Sequence, residues 1–256
     1  MPERIAYIPL ETYPEAAPDA AILAAVGLAR GLNCKAHVAT LGVAIPPVAS
    51  PLGGFLINIE GMAKAAEDRS HATCARLKAL VEAASPGATV STQDIGMGGA
   101  LEEAAAQSRY FDLAILPWTG EAALAQDMAQ ALIFGSGVPV VLVPAGAKAG
   151  AVDHLAIAWD ESRAAARALA DALPLLAPGG RVTVLTVHDE KALSDGGLSE
   201  RLAASLRARG YQAAAVDLSA KGKPVAEVLQ DGAVAAGAGL LAMGGFGHSR
   251  LRDFIL

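Results

Sequence analysis

Aromatic residues are scarce in this chain: Phe, Trp and Tyr together make up 4% of its 256 residues. A core so poor in large rings must be filled by Ala, Leu and Val, and the 53% hydrophobic content supplies them. Cysteine is scarcer still. Cys34 and Cys74 lie far apart with no paired spacing, which excludes a disulfide framework and a Cys-rich zinc pattern. The five histidines, at 37, 71, 154, 188 and 248, show no metal-ligand spacing either. Charged residues are only 18%, with a net −6 and no block of one sign. A nucleic-acid surface needs a concentrated basic face, and membrane electrostatics need a basic cluster; neither is present. The mean hydropathy is positive, +0.39. Even so, the longest apolar runs, such as Val138-Pro-Val-Val-Leu-Val143, are strand-length, well below the roughly 18 residues of a spanning helix. Met1–Tyr7 has no signal-peptide core. The expected setting is the cytoplasm, with both thiols reduced.

What the chain does have is alternation. Apolar runs predict strands at Ile5–Leu10, Ala36–Val43, Thr89–Ile95, Asp112–Pro117 and Val138–Val143, and Ala-rich stretches between them predict helices at about 18–30, 61–84, 99–109 and 121–133. Strands such as Leu113-Ala-Ile-Leu116 are apolar on both faces, as in a parallel sheet covered by helices on each side. After the small-residue linker Ala145-Gly-Ala-Lys-Ala-Gly150 the pattern restarts. Strands follow at His154–Trp159, Arg181–Val187, Gln212–Leu218 and Leu240–Met243, with helices at Arg163–Leu176, Leu198–Arg209 and Val225–Ala236. The order repeats that of the first half, which marks an internal duplication. Two doubly wound, parallel-sheet α/β domains are expected, at residues 1–147 and 152–256, and the second lacks a counterpart of Val138–Val143.

The C-terminal half carries the most specific residues. Gly239-Leu-Leu-Ala-Met243 reads as a buried strand, then Gly244-Gly-Phe-Gly247 as a turn, then His248-Ser-Arg-Leu-Arg252 as a helix start with Ser249 as N-cap. A strand, a glycine turn and a helix together present backbone N–H groups to a phosphate. Arg250 and His248 add positive charge beside that helix end. Upstream, Ile157-Ala-Trp-Asp-Glu-Ser-Arg163 closes the first strand of this half at the sheet edge where α/β proteins bind ligands.

Together these pieces resemble the universal stress protein family in its tandem, two-domain form. The family pattern in ATP-binding members is Gly-x-x-Gly, nine residues, then Gly-Ser or Gly-Thr. Gly244 and Gly247 fit the first pair, and residues 248–256 are the nine, so the resemblance implies that the second pair and the last strand would begin past Leu256. It implies a Rossmann-like fold, with ATP or a related adenine nucleotide bound in the second domain and Mg²⁺ alongside the phosphates. The implied contacts are Asp160, Ser162, Val187, Met243, Gly244, Gly247, His248, Ser249 and Arg250. Domain pairing within the chain and homodimers built on the fifth strand are implied too. The expected role is stress response through nucleotide-dependent conformation or partner binding.

Plainer readings stand beside each of these residues. Asp160 and Ser162 can serve as turn and cap for the helix after them, Val187 as a core valine, and the glycines as an ordinary strand-to-helix turn. Slow ATP hydrolysis in the same cleft would need a base, for which only His248 or Asp160 is offered; a ligand-free structural dimer is the remaining reading. His188-Asp189, after a strand, reads as a surface loop, and Gly96-Met-Gly-Gly99 as an ordinary turn. Aligned on the repeat, Leu10 takes the place of Asp160, Pro117 that of Gly244, and Gly120 that of Gly247, while fourteen residues separate Gly120 from the next Gly-Ser, Gly135-Ser136. Proline has no N–H and cannot adopt positive φ. The first half is therefore expected to have lost nucleotide binding and to act as a structural or partner-facing domain.

Overall fold

Alternating apolar and Ala-rich segments fold here into alternating strands and helices. The computed structural model of the protein describes residues 3–46, 59–120, 123–148, 150–188 and 197–245. The chain divides into two units, Met1–Gly150 and Ala151–Leu256.

The first unit runs β1 (Arg4–Glu11), α1 (Asp19–Gly31), β2 (Cys34–Ala44), α2 (Ile59–Ala84), β3 (Thr89–Gly96), α3 (Ala100–Ser108), β4 (Leu113–Trp118), α4 (Ala123–Gly135) and β5 (Val140–Pro144). Its five strands are all parallel, in the order β3-β2-β1-β4-β5. Burial on both faces explains the unbroken apolar runs: Ala6, Tyr7, Ile8 and Leu10 are all at 2% exposure or less. Tyr7, Ala39, Leu41, Ala114 and Leu116 pack with Ala104 of α3 and with Met128, Ala129 and Leu132 of α4. On α1 the buried residues are Ala21, Ile22, Ala25, Val26 and Ala29, the one-sided stripe of an amphipathic helix.

The second unit repeats the plan with β6 (Val152–Ala158), α5 (Arg163–Ala172), β7 (Leu176–Val187), α6 (Leu198–Ala208), β8 (Gln212–Leu218), α7 (Val225–Ala236) and β9 (Leu240–Ala242). Its sheet order is β8-β7-β6-β9, again parallel, with four strands among the described residues. One layer packs Leu155, Ile157, Val182 and Val184 against Leu169 of α5 and Leu202, Ala203 and Leu206 of α6. The opposite face packs Ala156, Leu185 and Val187 against Val225, Val228, Leu229 and Ala233 of α7.

Two boundaries differ from the sequence reading by more than two residues. The helix expected to reach Leu176 ends at Ala172, and a single 3₁₀ turn covers Leu173–Leu175. Pro174 lies in that turn, where its missing N–H and its ring stop the α-helical ladder. The strand expected from Arg181 begins at Leu176 and passes through an irregularity, its register against β6 shifting between Val152 and His154. Gly179 holds φ +76 there.

Buried polar atoms are mostly partnered. His154, at 3% exposure, uses both ring nitrogens, on the Gly237 carbonyl at 3.1 Å and the Thr183 hydroxyl at 2.8 Å. Among the described residues, Gln93 Oε1 and the Tyr7 hydroxyl are the exceptions. The Tyr7 ring stacks on Phe111 at 4.9 Å between centroids, yet its buried hydroxyl has no hydrogen-bond partner. Burial, and then the charge of Glu103, pushes the phenol's pKa up, so the proton stays on. An unsatisfied buried hydroxyl costs about 1–3 kcal/mol. Tyr7→Phe keeps the stack and removes that cost; chemical denaturation should show the variant about 1 kcal/mol more stable than the parent.

Candidate functional site

In an open parallel sheet, ligands sit beyond the C-terminal strand ends, where the strand order reverses. That point lies between β1 and β4 in the first domain and between β6 and β9 in the second.

In the second domain, the chain leaves β6 through Trp159 and turns at Asp160-Glu161-Ser162 into α5. One carboxylate oxygen of Asp160 accepts from the Ser162 N–H at 3.0 Å, and the Ser162 hydroxyl accepts from the Ala165 N–H at 3.1 Å as N-cap. Both residues thus perform the capping that their types favour. The N–H groups of Arg163 and Ala164, in the first turn, have no partner among the described residues. Glu161 between them holds φ +62, left-handed for a side chain with a Cβ. Its carboxylate accepts from Arg201 Nη1 of α6 at 3.0 Å.

At the end of β9, Gly244 meets this turn. A Cβ added to Gly244 would stand 2.7 Å from the Ala164 carbonyl carbon and Cβ, and 2.8 Å from the Ala165 nitrogen. Its φ lies outside the left-handed region, so glycine is required there by close approach, not by backbone conformation. Asp160, Ser162 and Gly244 are thereby brought to one place, around the N-terminus of α5. Val187 lies one strand over, its side chain buried in the α7 layer, and Met243 packs half-buried on that same layer. Gly247, His248, Ser249 and Arg250 lie outside the described residues.

The strand registers correct the repeat alignment by one residue. Ala6 pairs with Leu113, and Leu155 pairs with Leu240. With Leu113 and Leu240 equivalent, Ala6 matches Leu155, and five residues further on Glu11, not Leu10, matches Asp160. Leu10 faces the opposite side of the sheet and is core, at 2% exposure. The first domain therefore keeps a carboxyl group at its switch point. Partial burial, and then the charge of Asp127 on α4, pushes Glu11 up to about 7. Two residues past β4, Gly120 holds φ +74, and its carbonyl accepts from Gln126 Nε2 at 3.3 Å.

A further polar cluster caps the outer strands of the second sheet. Oδ1 of Asp217, on β8, accepts from the buried Ser199 hydroxyl of α6 at 2.6 Å and from His188 Nε2, just past β7, at 3.0 Å. The Ser199 and His188 hydrogen bonds hold the Asp217 carboxyl below its ordinary range.

Sequence comparisons give no match, either to a family model or to a curated protein. Structural comparison does. A universal stress protein from Archaeoglobus fulgidus DSM 4304 superimposes over 93% of this chain and 86% of its own length, with a TM-score of 0.65 at 15% identity. The fold is that of the universal stress proteins. A family member from Burkholderia pseudomallei matches 54% of this chain at 12% identity, covering 96% of its own length with a TM-score of 0.35. A universal stress protein in complex with cAMP matches 55% of this chain at 20% identity, covering 98% of its own length with a TM-score of 0.32. At those scores neither adds to the fold assignment.

Within the universal-stress fold, the residues that sequence reasoning passed over are Glu11, Arg201 and the Asp217–Ser199 pair. Glu11 was within reach, because an acidic residue at the end of an apolar strand is a visible signal. Asp217 and Ser199 are 18 residues apart and meet only through the β7-α6-β8 crossover.

Proposed function

We propose that the second domain binds ATP or a related adenine nucleotide, with Mg²⁺, at the C-terminal edge of its sheet. The protein then acts in stress response through nucleotide-dependent conformation or partner choice. The observation that carries this reading is the contact of Gly244 with the first turn of α5. It sets a strand-end turn without a side chain against a helix N-terminus with two open N–H groups, where the helix dipole favours an anion. Phosphates would lie on that side. Asp160 has its second carboxylate oxygen left to accept from a ribose hydroxyl or a base N–H, and its charge turns phosphate away. Among the described residues no three His, Cys, Asp or Glu side chains gather as a metal site. Mg²⁺ would therefore be held chiefly by phosphate oxygens and water, as is usual for this ion. The same reading places the protein in the cytoplasm as a homodimer.

Mass spectrometry of the denatured, purified protein is expected to release an adenine nucleotide. Mg-ATP at about 100 times its Kd should add about 2.7 kcal/mol of stability to the second domain. Protein free of nucleotide that also shows no thermal shift with Mg-ATP would overturn the proposal in favour of a ligand-free role.

A further inference from the structure

The Asp160 turn has an unusual centre and an unusual support. Glu161 holds φ +62, a conformation in which an L side chain crowds its own backbone. On either side of it, Asp160 reaches across to the Ser162 N–H at 3.0 Å, and Ser162 caps α5. That geometry is built with residue 161 left-handed. Glutamate has no intrinsic preference for this conformation; Gly, or to a lesser degree Asn, is the usual occupant. What reaches Glu161 from elsewhere is Arg201, one turn into α6, at 3.0 Å.

Arg201 is itself delivered from an anchored place. Two residues before it, the buried Ser199 hydroxyl bonds Asp217, which also holds His188. The first turn of α6 is thus tied to the end of β8, and Arg201 projects from it to the turn that ends β6. An exposed ion pair that does nothing else is worth little. This one acts on a strained residue.

We propose that Arg201 is a positioning residue for the ligand site: by holding Glu161 left-handed it keeps Asp160 and Ser162 in their binding orientation. Without it, residue 161 relaxes toward an ordinary conformation, Asp160 turns away from the Ser162 N–H, and the α5 cap opens. The consequence for ligand rests on the nucleotide reading above; the consequence for the turn does not.

Two readouts keep these apart. In the full chain, Arg201→Ala is expected to speed hydrogen exchange at the Ser162 amide and to weaken ATP binding, measured by calorimetry, roughly three- to tenfold. Glu161→Gly supplies a residue that adopts positive φ freely. Added to Arg201→Ala, it should restore both Ser162 protection and ATP affinity, a rescue that a merely structural salt bridge would not give. Unchanged Ser162 exchange in Arg201→Ala, or failure of Glu161→Gly to rescue, overturns the proposal. If the parent protein binds no ATP, the nucleotide reading falls, and Ser162 exchange alone still decides whether Arg201 holds the turn.

Discussion

Gly244→Val is expected to destabilise the second domain by about 1–3 kcal/mol, the range for forcing added atoms into a filled space. It should also weaken ATP binding at least tenfold. The reason is the 2.7 Å gap between an added Cβ and two atoms of Ala164. Backbone cannot yield there as a flexible side chain would, so either β9 or the first turn of α5 must move. Moving α5 carries away the open N–H groups of Arg163 and Ala164. Gly239→Ala is the control, five residues earlier on the same segment. Its added Cβ would meet only the His154 carbonyl oxygen, at an ordinary 3.8 Å, and stability should stay within about 0.5 kcal/mol of the parent. Each domain has one tryptophan, Trp118 in the first and Trp159 in the second, so the loss can be located. In a Trp118→Phe background, Trp159 fluorescence reports the second domain during denaturation. Equal stability and ATP affinity for Gly244→Val and the parent would show that the close approach carries neither packing nor binding.

The second large effect concerns the first domain and depends on pH. Glu11 has a folded pKa of about 7 against an ordinary 4.5, because burial and Asp127 disfavour its charged form. The folded state therefore binds the Glu11 proton more tightly than the unfolded chain does. The stability this contributes is complete below about pH 4.5 and is lost as pH rises through about 7. A fully shielded carboxyl with this shift would cost about 3 kcal/mol at pH 8. Glu11 is half-buried and water screens it, so about 1–2 kcal/mol is the expected size. Glu11→Gln removes the ionisation. Against the parent it should be about 1–2 kcal/mol more stable at pH 8 and nearly equal at pH 4, with Trp118 fluorescence following denaturation in a Trp159→Phe background. Equal stabilities at both pH values would show that Glu11 is well solvated and free of Asp127.

The strands and most helices were legible because a parallel sheet buried on both faces writes itself as continuous apolar runs: Leu113 to Leu116 and Val182 to Leu185 are buried at every position. The helix after β6 was read too long because Ala and Leu continue its pattern through Pro174, and the proline outweighs them. The Asp160 turn was legible as chemistry, and the structure shows its capping role directly. Its relation to Glu11 was not. Both halves read as apolar strand then carboxylate, but the loops that follow differ in length, and only the pairing with β4 and β9 fixes the register. The support from Arg201 was also out of reach. Glu161 and Arg201 are forty residues apart, and their meeting depends on how α6 crosses over the end of β7.

In an assembly of identical chains, symmetry repeats every substitution in each copy of a site. Here the crevices at β1/β4 and β6/β9 are encoded by separate stretches of one chain, and they have already parted. One has a carboxyl that titrates near neutrality, and the other a capped turn held by an arginine. A mutation that improves one does not have to be tolerated by the other. The repeated plan gives this protein two strand-end sites in equal number that selection can tune apart, one through the Glu11 carboxyl and the other, on the nucleotide reading proposed above, through an anion.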